Sequence, residues 1–186
     1  KQGYSIAAAL AELGAEVTLV SGPTALAAPT GVTRIDVESA LEMQAATQSA
    51  LPADIAVLSA AVADWRVDTI AGGKIKKGPG GPPTLALIEN PDILAGVAAP
   101  GPNRPALVIG FAAETTDLEA NARAKLSRKG CDWILGNDVS DDVFGSDGNA
   151  VLLVTADKTE TWPRQSKTAI ARAVAARIAD HFKAAQ

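Results

Sequence analysis

Ala106-Leu107-Val108-Ile109-Gly110-Phe111-Ala112-Ala113-Glu114-Thr115 decides the architecture. Its centre, Leu107 to Phe111, is a short apolar run without alternation, the composition of a strand covered on both faces. It ends in small residues and a carboxylate. Asp117 to Arg128 then has helical character and is stopped by Gly130, a residue suited to the left-handed cap that ends a helix. Trp133 to Leu135 follows as another buried strand. Strands alternating with helices argue for a mostly parallel sheet with helices on both faces.

The alternation continues outward in both directions. Tyr4 to Leu13 reads as an amphipathic helix closed by Gly14, and Glu16 to Val20 as a strand. Thr33 to Val37 is a short strand, Glu38 to Ala50 a helix that stops near Pro52, and Asp54 to Ala60 a buried strand. Thr84 to Ile88 is a further short strand. Pro91 to Ala98 reads as a helix with Asn90 as N-cap and proline at its first position. Ala150 to Thr155 and Thr159 to Trp162 flank Ala156-Asp157-Lys158 as a hairpin, and Ser166 to Phe182 is a terminal helix. The expected fold is therefore α/β, a three-layer Rossmann-like arrangement with a mostly parallel sheet. Thr84 to Ile88 and Ala150 to Trp162 are expected outside the parallel core, as a small strand extension suited to dimerisation. There is no internal repeat. Domains that bind nucleotides usually place a strand and a Gly-rich turn before the first helix. Lys1-Gln2-Gly3 reads as the tail of such a turn, so residues 1–186 are expected to form a single domain lacking its first strand and Gly-rich N-terminal loop.

Composition bounds the function. A chain of 186 residues can bury a sizeable core. Hydrophobic residues make up 47% but aromatics only 4%, so alanine and valine must fill much of it. The net charge of -4 argues against a general nucleic-acid binder, which would be basic. One cysteine permits no internal disulfide and points to a reducing compartment, hence a cytoplasmic setting. No apolar run reaches the roughly 18 residues of a membrane span.

Candidate chemistry gathers at predicted strand ends. The run Ile55 to Arg66 ends in Ala63-Asp64-Trp65-Arg66, and the lysines Lys74, Lys76 and Lys77 follow it. Lys125 and Lys129 follow the run that ends at Glu114. Fixed cations near strand ends suit a polyanion such as a nucleotide triphosphate, and ordinary wet surface is the plainer account. The Gly/Pro loop Gly78 to Pro83 lies beside Lys74 and could let it close over a ligand; it could equally be an exposed loop. Asp64 could bind ribose hydroxyls or cap a turn. Asn90-Pro91-Asp92-Ile93 could offer helix-start amides to an anion or simply begin a helix. Phe111 reads first as core. Lys125 and Lys129, four apart on one helix face, repel by roughly 0.2–0.5 kcal/mol, which a bound phosphate, Glu119 or water could relieve. Asn137-Asp138-Val139-Ser140 and Phe144 to Asn149 have turn chemistry.

Several chemistries are disfavoured. There is no GxGxxG or GxxxxGK[ST] motif. His181 in the terminal helix reads as surface, and Cys131 as packed rather than nucleophilic. With one His and one Cys, a His/Cys zinc site is not expected.

Taken in order, the words SAAVADWR (59–66), KIKK (74–77), ENPDIL (89–94), GFAAET (110–115), NARAKLSRKG (121–130), NDVS (137–140) and FGSDGN (144–149) closely resemble the phosphopantothenate–cysteine ligase domain of coenzyme A biosynthesis. The likeness runs from Gly3 to about Lys167. It implies CTP-dependent joining of 4′-phosphopantothenate to L-cysteine through an acyl-cytidylate, with release of pyrophosphate and CMP. It implies nucleotide contacts at Ser59, Ala60, Ala61, Asp64, Asn90, Pro91, Asp92, Ile93, Phe111, Lys125 and Lys129, and a catalytic role for Lys74 on the triphosphate. It further implies Mg2+ or Mn2+ with CTP, through ligands that no motif here names. A homodimer is implied, as is fusion in the full-length protein to a phosphopantothenoylcysteine decarboxylase that carries FMN. The rival expectations are an NAD(P)-dependent oxidoreductase and a non-catalytic nucleotide-binding module.

Overall fold

Helix and strand alternate from the first residues of the computed structural model, which describes residues 1–69, 72–74, 76, 84–114, 116–138 and 148–184. Helix α1 (Gln2–Glu12) leads through Gly14, at φ +90°, into β1 (Val17–Ser21). β1 pairs in parallel with β2 (Val32–Asp36), Val17 opposite Val32 and Ser21 opposite Asp36. Helix α2 (Ala40–Ser49) starts at a capping box. The Ser39 hydroxyl accepts from the Glu42 amide at 3.2 Å, and the Glu42 carboxylate accepts from the Ser39 amide at 3.2 Å.

β3 (Ile55–Leu58) opens the central sheet. A short strand that the sequence did not reveal, β4 (Trp65–Val67), pairs antiparallel with β5 (Leu87–Glu89) in a separate two-stranded ribbon. α3 (Ile93–Ala98) precedes β6 (Leu107–Glu114), and α4 (Leu118–Lys129) precedes β7 (Trp133–Asp138). Gly130 closes α4 at φ +67°, as its place after the last helical lysine predicts. β8 (Gly148–Thr155) and β9 (Thr159–Ser166) form the expected hairpin, and α5 (Lys167–Ala184) ends the fold.

The central sheet has the order β3-β6-β7-β8-β9. It is parallel through β3, β6 and β7 and antiparallel through β8 and β9. Helices cover both faces, giving the three layers and the mixed α/β fold the sequence implied. On one face, Ile6 and Ala9 of α1 and Ile170, Val174 and Ile178 of α5 pack against Leu107, Ile109, Leu135 and Leu153. On the other, Ile93 and Val97 of α3, Ala122 of α4 and Met43 of α2 pack against Val108, Ala112, Ile134 and Val154. The alternation along each strand sends neighbours to opposite cores.

Two expectations need correction, the first in part. Ala150 to Trp162 is antiparallel and so lies outside the parallel strands, as expected, but it continues the central sheet and its core: β8 pairs directly with β7, Leu135 opposite Leu153, and Leu153 and Val154 are fully buried. The apolar side chains on both faces of β8 find helices there, which an outlying ribbon would not give them. The short strand near Thr84 to Ile88 does stand apart, as β5. The second correction concerns α3. Its cap is Asp92, whose carboxylate accepts from the Ala95 amide at 3.0 Å, and not Asn90.

Arg104 ties the end of the fold opposite the strand termini. Its guanidinium donates to the carbonyls of Ala98, Pro105 and Gly130 at 2.9, 2.9 and 3.2 Å. It also meets both Asp132 oxygens at 3.0 and 3.1 Å, while Asp132 accepts from the Val108 amide at 2.7 Å. One planar cation thereby joins the ends of α3 and α4 to the starts of β6 and β7.

Candidate functional site

A cavity of about 1020 Å³ opens along β3 and beyond its C-terminal end. Beyond β3 its lining comes from the segment after β3, the β5–α3 junction, β6 and α4. The residues involved include Ser59, Ala60, Asp64, Asn90 to Ile93, Phe111, Lys125 and Lys129. Carboxyl ends of parallel strands form crevices of this kind because loops there diverge to different faces of the sheet.

Asn90 builds the wall between two of these segments. Its side-chain amide donates to the Ala63 carbonyl at 2.8 Å, and its backbone amide to the Asp64 carbonyl at 2.8 Å. Arg66 then closes the corner, donating to the Glu89 carbonyl and, at 3.4 Å, to the Asn90 side-chain oxygen. The loop 59–64 and the start of α3 therefore form one pinned unit. Asn90 holds this unit together and leaves the cap of α3 to Asp92.

Asp92 is the other hinge of the site. One oxygen caps α3 and the other receives the Lys129 ammonium. Burial alone would push this carboxyl up. The Lys129 ammonium, the Ala95 amide and the charge of Arg128 outweigh it and hold the carboxyl below its ordinary value. Asp92 also answers what offsets the Lys125/Lys129 repulsion. Glu119 does not, since its carboxylate accepts from Thr159 at 2.9 Å and from Arg123 at 3.2 Å. Lys129 is only 18% exposed and Asp92 44%.

The expected site residues divide clearly. Ser59, Ala60, Asp64, Asn90, Pro91, Asp92, Ile93, Phe111, Lys125 and Lys129 line one cavity. Lys125 and Lys129 reach it from the last turns of α4, not from a strand end. Ala61 is exposed and does not line the cavity, and neither does Lys74, which is exposed, as is Lys76. Lys77, the loop 78–83, Val139, Ser140 and 144–147 lie outside the described residues. Sequence reasoning missed Val62, Trp65, Leu94 and Glu89 in the lining and Arg66 behind it. Trp65 and Arg66 stood inside the same word, SAAVADWR, and an Arg beside an exposed Trp was the signal available. Cys131 is buried, and burial pushes its thiol up, as expected of a packing cysteine. His181 is exposed, and its ring stands edge-on to Trp133 with centroids 5.3 Å apart.

Among the described residues no three His, Cys, Asp or Glu side chains cluster in a way that could hold a metal ion. A divalent ion at this cavity would take most of its oxygen ligands from a bound phosphate chain and water. No helix among the described residues is long and apolar enough to cross a membrane.

Known proteins are similar to this chain in sequence and fold. The chain is 48% identical over 178 residues to the coenzyme A biosynthesis bifunctional protein CoaBC of Vibrio cholerae, covering 94% of this chain and 44% of that protein. It is 48% identical over 172 residues to the protein of the same name from Escherichia coli, covering 90% of this chain and 42% of the relative. The chain thus spans less than half the length of these relatives. Among solved structures, the C-terminal domain of a coenzyme A biosynthesis bifunctional protein CoaBC superposes with a TM-score of 0.79 at 33% identity, over 98% of this chain and 82% of that one. With a family model matching residues 1–182, the chain belongs to the DNA/pantothenate metabolism flavoprotein C-terminal domain family.

Proposed function

We propose that this chain is the ligase domain that joins 4′-phosphopantothenate to L-cysteine with CTP, in coenzyme A biosynthesis. The observation that carries this reading is the convergence on one cavity of ten residues at which the resemblance implies nucleotide contact. In this reading the substrate carboxylate attacks the α-phosphate of CTP, forming an acyl-cytidylate and releasing pyrophosphate. The cysteine amine then attacks the acyl carbon, and CMP leaves as the new amide forms. Little proton transfer is needed in the first step. Positioning and neutralisation of phosphate charge are needed throughout. Lys125 and Lys129 supply cations from one wall. Ser59 and Ala60, being small, let backbone groups approach the base, and Asp64 faces the ribose. Mg2+ or Mn2+ accompanies the triphosphate and adds charge neutralisation there.

The same reading makes the chain a cytoplasmic homodimer. It also places the chain beside a fused decarboxylase domain, which carries the FMN that this domain does not use. The relatives' name, a bifunctional protein, supports the fusion.

Pyrophosphate release measured with CTP and ATP in parallel, each with phosphopantothenate and cysteine, tests the reaction. Release with CTP that requires phosphopantothenate but not cysteine is expected. NAD(P)H binding by fluorescence without any CTP turnover would replace the reading with an oxidoreductase. Lys125→Ala with Lys129→Ala should weaken CTP binding in calorimetry by at least about tenfold, since two charge-assisted bonds are lost. Lys74→Gln should keep CTP affinity and lose about 10²–10³-fold in pyrophosphate release. Normal acyl-cytidylate build-up in that variant would remove Lys74 from the activation step.

A further inference from the structure

Arg66 lies outside the cavity lining, yet it holds two residues that are part of it. A single nitrogen, Nη1, donates to the Glu89 carbonyl and, at 3.4 Å, to the Asn90 side-chain oxygen. The Asn90 side chain is engaged at both ends. Its Nδ2 donates to the Ala63 carbonyl at 2.8 Å, and its Oδ1 accepts from Arg66. An amide has one donor end and one acceptor end. Turning this one over would set its oxygen against the Ala63 carbonyl and its NH2 against the guanidinium. Arg66 therefore fixes which way Asn90 faces.

The direction of Asn90 in turn fixes the loop. Its side chain takes the Ala63 carbonyl, and its backbone amide takes the Asp64 carbonyl at 2.8 Å. A planar trans peptide sets N–H opposite C=O, so the same bonds turn the N–H groups of Asp64 and Trp65 away from Asn90. Ala63, Asp64 and Trp65 all line the cavity. Control therefore runs from Arg66, behind the wall, through Asn90 to the backbone of 63–65. The resemblance counts Asn90 among the nucleotide contacts. The geometry instead commits its side chain to the protein.

We propose that Arg66 is a positioning residue of the nucleotide site and acts through Asn90, whose side chain aims the backbone of 63–65 rather than meeting the nucleotide itself. The proposal rests on the CTP reading above. It also says what may replace Arg66. Both bonds leave from one nitrogen, and a lysine ammonium is one nitrogen with three donors, so lysine can make both. A guanidinium used as a two-pronged clamp on a phosphate could not be replaced in this way.

A double-mutant cycle tests it, with Arg66→Met, Asn90→Ala, the pair, and Arg66→Lys. Calorimetry gives CTP affinity per folded molecule. Hydrogen exchange at the amide of residue 90, measured without nucleotide, reports the bond to Asp64. Each single variant should weaken CTP binding about tenfold, the loss of one charge-assisted bond or its relay. The pair should be weaker than either single by no more than about twofold, because both act through one path. Arg66→Lys should stay within about threefold of wild type. Exchange at residue 90 should quicken about tenfold in Arg66→Met and return near wild type in Arg66→Lys. Losses that multiply to about a hundredfold in the pair would overturn the proposal, since Arg66 would then meet the nucleotide directly. Unchanged affinity in Arg66→Met would overturn it as well. A wild type that binds no CTP would end the CTP reading, and the exchange arm would still decide the relay: unchanged exchange in Arg66→Met refutes it, faster exchange reversed by lysine supports it. If Arg66→Met does not fold, Asn90→Asp gives the answer, because it keeps the acceptor for Arg66 and removes the donor to Ala63. A tenfold loss of CTP affinity there supports the relay, and unchanged affinity refutes it.

Discussion

At Asp92 a single carboxylate caps α3 through one oxygen and anchors Lys129 through the other. Its depressed ionisation means that it contributes stability above the ordinary carboxylate value and loses that contribution as pH falls through the lower, folded value. Asp92→Asn separates the two roles, because Asn caps a helix about as well as Asp but cannot pair with an ammonium. The variant should lose less than about 1 kcal/mol at pH 7, since the carboxylate is 44% exposed and solvent screens the pair. Wild type should also lose more stability than the variant as pH falls from the ordinary carboxylate value through the lower, folded one. Urea melts across that range check both statements, and parallel curves would show that Lys129 adds nothing. On the proposed reading, a bound CTP would offer Lys129 a phosphate in exchange for this carboxylate, so the same variant should alter CTP affinity and leave the fold intact.

Among the elements, the Arg104 clamp and the β4–β5 ribbon behave in opposite ways. Arg104 satisfies three carbonyls and a carboxylate that are otherwise partly buried. Arg104→Ala strands those acceptors and should cost about 2–3 kcal/mol, a fall of about 5–10 °C in the unfolding midpoint. It lies away from the cavity lining, so pyrophosphate release per folded molecule should persist. The ribbon instead leaves apolar surface outside. The period of two puts Trp65, Val67 and Leu87 on one face, and Trp65 and Leu87 are each 55% exposed, with Leu85 at 60%. Such a face on a sheet that is two-stranded among the described residues suits a second copy of the chain. Light scattering should give twice the chain mass at about 10 μM, and Leu87→Glu should give the monomer. A monomeric wild type would end the dimer reading.

For the whole molecule, stability should follow strand neighbours. Leu107, Val108, Ile109 and Ile134 are fully buried in strands paired on both edges, while β1–β2 and β4–β5 are two-stranded. Amides of β6 and β7 should exchange slowest, near the global unfolding limit. Those of 65–67 and 87–89 should exchange fastest, and the reverse order would contradict this account of the core. The sequence alone determined much of this fold. Unbroken apolar runs at 55–58, 107–111 and 133–135, glycines after α1 and α4, and the β8–β9 hairpin are local signals, written in periodicity and backbone preference. It also determined the chemistry of most site residues, because residue type and order survive folding unchanged. Only the tertiary structure decided which of them meet. Asp92 replaced Asn90 as the cap of α3 because Lys129, thirty-seven positions on, stabilises its carboxylate there. Arg66 gained a role by reaching Glu89 and Asn90 across the ribbon. β8 joined the central sheet because both of its faces needed covering, and Lys74 stayed outside the cavity lining despite its place in the resemblance. These outcomes depend on pairings between residues far apart in sequence, whose partners are set by how helices and strands pack rather than by any local pattern.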